Sequence, residues 1–105
     1  MSIMQIHINT HDHVEGHERM EAYFSETIAN ALKRFEDKIT RIEVHMNDEN
    51  GEKFGEKRCS IEARIAGMQP IAASNHADTT EKAIAGAIDK LKHQLTTAFD
   101  KMKSH

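Results

Sequence analysis

The sequence predicts an α+β fold: a two-layer sandwich in which two helices pack on one face of a four-stranded mixed sheet. Three observations predict it. Residues 17–36 and 79–103 each repeat apolar side chains at steps of three and four, the period of a helix with one buried stripe. Four short stretches alternate apolar and polar residues, the period of a half-buried strand. Their order is β-α-β-β-β-α, with no internal repeat and no linker, so residues 1–105 read as a single domain. Each strand has one apolar face, which two amphipathic helices can cover. The first β-α-β unit should be a right-handed crossover between parallel neighbours. The later strands can pair as antiparallel hairpins.

The first strand rests on Met4, Ile6 and Ile8, which fall on one side. Residues 9–16 form a polar connection rich in His and Asp. Met20, Phe24, Ile28, Ala31, Leu32 and Phe35 then give a helix ending near Glu36 and Asp37. Residues 41–47 alternate again, with Ile42, Val44 and Met46 inward and Arg41, Glu43 and His45 outward. Residues 48–57 hold two Gly and many charges, so they read as a loop. In the third strand, residues 58–66, Cys59, Ile61, Ala63 and Ile65 point inward. A turn at 67–70 leads to a short, Ala-rich fourth strand at 71–77. The last helix carries Ile84, Ile88, Leu91, Leu95, Phe99 and Met102 on one stripe, with Ala87 and Ala98 beside them. Thr79 is placed to cap its start. Gly86 inside it costs about 1 kcal/mol relative to Ala.

Composition narrows the function. The chain of 105 residues is 38% hydrophobic and 30% charged, with one Pro, which marks an ordered globular chain. No apolar run approaches the ~18 residues of a membrane span. The N-terminus lacks a basic segment followed by an apolar one, so a cytoplasmic protein is expected. The lone Cys59 forms no internal disulfide and suits a reducing compartment. It reads as a small core residue rather than a nucleophile. The net charge of −3 is unlike that of a general nucleic-acid binder. Residues 1–30, however, hold five acids and one base, so they carry −4 and the rest of the chain +1. Any binding to phosphate must therefore use a local patch.

Two pieces of the sequence resemble the family of ribosome hibernation-promoting factors and ribosome-associated inhibitors of translation. One is Ala83-Ile84 followed by Ile88-Asp89-Lys90-Leu91 and Gln94-Leu95. The other is Leu32, Arg34, Phe35, Asp37 and Ile39 around the end of the first helix. The likeness runs from Met4 to about Lys103, in a chain that resembles the short members. It implies the same β-α-β-β-β-α fold. It also implies a partner, the small ribosomal subunit, with its RNA touched by basic side chains of the helices. The protein would lie in the channel used by mRNA and tRNA and idle the ribosome in stress or stationary phase. The chain departs from the pattern at His93, where Arg is usual, and at Glu81, where an aromatic is usual.

On these grounds the expected nucleic-acid-binding residues are Lys33, Arg34 and Lys38 near the end of the first helix, with Lys82, Lys90, His93 and Lys101 on the last. The four on the last helix project within about 100° of one another, away from the apolar stripe. A plain solvated helix face is the bland explanation of the same spacing. Each side chain would act as a cation or donor toward phosphate. No cofactor, metal, membrane or small-molecule substrate is expected. No nucleophile-base pair or phosphate loop can be assembled, so the protein is not expected to be an enzyme. The alternatives are a non-ribosomal protein-interaction module on the same fold and a metal protein using His7, His11, His13, His17 and His45. Those imidazoles gain charge as the pH falls toward about 6, as does His93, which would favour RNA. The open strand edges leave room for weak homo-oligomers.

Overall fold

The computed structural model of the chain describes residues 4–10, 17–48 and 57–103, without the side chains at 10, 17–20, 47–48 and 102–103. The loop expected at 48–57 thus lies outside them except at its ends. So do His11, His13 and the side chains of His17, Met20 and Met102.

The elements follow the expected order. Strand β1 (Gln5–Thr10) leads to helix α1 (His17–Ala31), a 3-10 turn (Lys33–Phe35), strands β2 (Ile39–Asp48), β3 (Lys57–Ile65) and β4 (Ile71–Ala77), and helix α2 (Thr80–Lys103). They build one four-stranded sheet in the order β1-β2-β3-β4. β1 runs parallel to β2, with Ile6 opposite Ile42 and Ile8 opposite Val44. The β2-β3 and β3-β4 pairs are antiparallel, with Val44 opposite Ile61 and Ile61 opposite Ala73. The register therefore lines up the apolar side chains across the sheet. Ile42, Val44, Met46, Cys59, Ile61, Ala63 and Ile65 are all buried. Phe24, Ile28 and Leu32 come down on this face from one side, and Ile84, Ile88, Leu91 and Leu95 from the other.

The other sheet face is solvated and charged. Glu43 faces Glu62 across β2-β3, a pairing of like charges that would be unfavourable alone. Each is matched on its own strand: Arg41 pairs with Glu43, and Arg64 Nε lies 3.4 Å from Glu62 Oε1. At this exposure such pairs offset repulsion rather than add much stability.

The first helix ends sooner than its apolar period suggests. The amide of Leu32 still bonds to Ile28 O at 2.9 Å, an α-type bond. Beyond it, Phe35 N bonds to Leu32 O and Lys38 N to Phe35 O, each at 2.9 Å, which are 3-10-type bonds. Leu32, Phe35 and Ile39 are buried all the same, at 0%, 4% and 2% exposure. The tighter winding keeps these anchors on the core while the chain turns into β2. The spacing of apolar residues is the same in either case, so it could not reveal the break.

Thr79 caps α2 as expected. Its Oγ1 accepts from the Lys82 amide at 3.1 Å, and its carbonyl from the Ala83 amide at 3.0 Å. The reason for Gly86 is tertiary. A Cβ there would stand 2.1 Å from Nδ2 of Asn75, which is on β4. The same Nδ2 donates to the carbonyls of Lys82 and Ala83 at 3.4 and 3.5 Å. Gly86 therefore lets helix and strand approach closely, while Asn75 satisfies carbonyls of the first turns. Gly86→Ala is expected to lose about 1 kcal/mol by displacing the Asn75 amide. In an Asn75→Ala background, where those bonds and the clash are both absent, Gly86→Ala should instead stabilise the protein by the helix preference of Ala, about 1 kcal/mol. Denaturant melts of the two single variants and the double variant would reveal the coupling. Simple additivity would refute it.

Candidate nucleic-acid interface

The expected cations lie on three stretches of the chain: the 3-10 turn, the turn before β2, and α2. Lys33 and Arg34 belong to the 3-10 turn rather than to the first helix, and Lys38 to the turn before β2. All three are exposed. The guanidinium of Arg34 is held over the Phe35 ring, 4.9 Å from its centroid. The Phe35 ring in turn meets that of Phe99 on α2, with centroids 5.5 Å apart and planes at 33°. This aromatic contact fastens the 3-10 turn to the far end of α2 and brings Arg34 and Lys38 beside it.

Lys82, Lys90, His93 and Lys101 are all exposed on α2. From Lys82 to Lys101 the helix rises roughly 28 Å, so they form a line rather than a cluster. Two are engaged. Lys82 Nζ lies 3.5 Å from Asp78 Oδ1, a pair whose members are both about 70% exposed. Lys90 Nζ donates to the carbonyl of Ser74 at 3.1 Å. Ser74 lies on β4, the outer strand, so Lys90 also blunts a sheet edge.

The C-terminal half of α2 therefore stands as a rib with a depression on each side. On the β4 side an open depression of about 370 Å³ is lined by Ile71, His93, Gln94, Thr97, Ala98 and Lys101. On the other side a narrower notch of about 140 Å³ is lined by Arg34, Phe35, Lys38, Thr96, Phe99 and Asp100. Four expected residues thus meet here in two pairs, His93 with Lys101 and Arg34 with Lys38. Lys82 sits at the other end of the helix. The polar residues between these cations, Gln94, Thr96, Thr97 and Asp100, were not picked out from the sequence. Gln94 belongs to the family-like stretch of α2, and the sequence signal of the other three is position on the polar side of the helix.

His7 and His45, on the solvated sheet face, do not stand opposite one another. His7 lies opposite Glu43, and His45 opposite Asn9. His45 Nε2 is 3.8 Å from Glu43 Oε1, and His7 Nε2 is 3.4 Å from Gln5 Oε1. Among the described residues, no three His, Cys, Asp or Glu side chains gather as a metal site requires.

Cys59 is fully buried on β3, and loss of solvation pushes its thiol up to about 12 from an ordinary 9.0. A thiol held neutral in this way is a poor nucleophile. Because the folded value lies above the unfolded one, its contribution to stability is complete below about pH 9 and is lost as the pH rises toward 12. In that range the wild type should lose stability more steeply than Cys59→Ala, by about 1.4 kcal/mol per pH unit. Parallel slopes in alkaline denaturant melts would refute this.

Residues 6–103 match the family model described as sigma 54 modulation protein / S30EA ribosomal protein. The chain belongs to that family. It is the ribosome hibernation family that the sequence resembles. Solved structures share the fold, among them the following two. A ribosomal subunit interface protein from Coxiella burnetii is 18% identical, with a TM-score of 0.73 over 92% of this chain and 99% of that one. The N-terminal domain of Thermus thermophilus Protein Y is 18% identical, with a TM-score of 0.63 over 90% of this chain and 94% of that one. No curated protein sequence matches the chain. No helix among the described residues is long and apolar enough to cross a membrane.

Proposed function

We propose that this family member is a ribosome-associated hibernation factor. It binds the RNA of the small ribosomal subunit near the decoding channel and sterically blocks mRNA and tRNA. It acts in the cytoplasm by occupancy, without chemistry of its own. The observation that carries the reading is the family match over residues 6–103, on a fold whose α2 rib bears cations on both flanks. One structural neighbour is itself a ribosomal subunit interface protein, which supports the same reading.

The chain is acidic overall, yet Arg34, Lys38, His93 and Lys101 are gathered around one end of α2. A local cationic patch on an acidic protein favours a defined position on RNA over general adhesion. Its contacts should be phosphate-directed and therefore sensitive to salt.

Co-sedimentation with ribosomes and separated subunits, at low and moderate salt, tests the proposal. Retention on the small subunit that fades with salt is the expected result. No retention at low salt would overturn it and direct the search to protein partners.

A further inference from the structure

The notch beside α2 joins three kinds of surface in one small space. The first is flat and cationic: the Arg34 guanidinium, backed by the Phe35 ring. The second is aromatic. Phe35 is only 4% exposed, but Phe99 is partly buried and lines the notch. The third is polar, with Thr96 and Asp100 one helical turn apart on α2. Lys38 stands at the side, exposed.

A duplex keeps its bases stacked inside and would meet this notch only with its backbone. An unpaired nucleotide presents a flat face, a polar base edge and a phosphate together. Unpaired bases stack on aromatic rings and on Arg guanidinium planes.

We infer that this notch holds one unstacked nucleotide of an RNA strand, an inference that rests on the RNA-binding reading above. The base lies against the Arg34 plane and the Phe99 ring. Its phosphate meets Lys38. Its polar edge turns toward Thr96 and Asp100. The negative charge of Asp100 favours this direction, because it repels phosphate. The protein thus grips a single-stranded or bulged element of its RNA, not only the backbone of a helix.

The test uses a short oligoadenylate and a blunt-ended RNA duplex as probes. Arg34→Lys keeps the charge and removes the plane, and Thr96→Trp fills the notch from the helix side. Each should weaken oligoadenylate binding about fivefold or more, and binding of the duplex much less. Side-chain NMR signals of Thr96 and Phe99 should shift as oligoadenylate is added. The inference is overturned if both variants, shown folded by their melting curves, bind oligoadenylate as tightly as the wild type. It is also overturned if duplex binding falls equally, since Arg34 would then be a plain phosphate contact. Sedimentation of the wild type with small subunits separates the two proposals. Retention without movement of Thr96 and Phe99 leaves the ribosomal reading standing and removes the notch. Movement without retention does the reverse.

Discussion

Replacing Arg34, Lys38 and Lys101 together by Glu is expected to lower affinity for the small ribosomal subunit about a thousandfold, with the thermal transition nearly unchanged. These three are chosen over the rest of the row for structural reasons. Lys90 is tied to the Ser74 carbonyl and Lys82 to Asp78, so reversing either would disturb local contacts as well. Arg34, Lys38 and Lys101 flank the end of α2 on both sides. A hydrogen bond to a charged group contributes about 1.5–3 kcal/mol, so three lost contacts reach the thousandfold range even at the lower figure. Each lost phosphate contact should also flatten the salt dependence by about one unit of slope. Titration against labelled subunits at several salt concentrations reads both quantities. Unchanged affinity would remove these cations from the interface. Reduced affinity with the wild-type slope would mean that they act by something other than contact with phosphate.

The second large effect concerns stability. Leu91→Ala is expected to cost about 3–5 kcal/mol and to lower the melting temperature by about 15 °C or more. Leu91 is fully buried, in the row that includes Ile84, Ile88 and Leu95. Deleting a large side chain costs least where the surroundings can close over the gap. Here they cannot do so readily. Ala83 and Ala87 are already fully buried, and Gly86 already lies against Asn75 of β4. The helix has no slack on that side, so the void should remain. The same residues that allow close packing thus make α2 intolerant of loss. A fall of less than about 1 kcal/mol in a denaturant melt would show that the helix resettles on the sheet.

The two effects should separate cleanly. The interface cations are exposed, whereas the core row is sealed. One variant should lose binding and keep its fold, and the other should lose stability first. The Phe35–Phe99 contact is where the two properties meet, because it packs the 3-10 turn against α2 and also carries Arg34 to the notch.

By itself the sequence determined the order of elements, the inward face of the first three strands, the buried stripe of α2, the Thr79 cap and the family. These follow from short-range regularities: alternation by two, recurrence by three and four, and a hydroxyl ahead of a helix. Each is written in neighbouring residues. Only the tertiary structure decided four other points. It ended α1 at Ala31 and wound Lys33–Phe35 as a 3-10 turn, though both windings bury the same anchors. It showed that Gly86 makes room for Asn75, eleven residues earlier and on another element. It tied Lys90 to the edge of β4. It also divided the expected row of cations between the two flanks of α2 and joined Arg34 and Lys38 to one of them through an aromatic contact. The physical reason is common to all four. Periodicity states which way a side chain points from its own element, but a site depends on how far apart elements lie and what stands between them. That separation is set by the packed volume of the core, to which no single stretch of sequence refers.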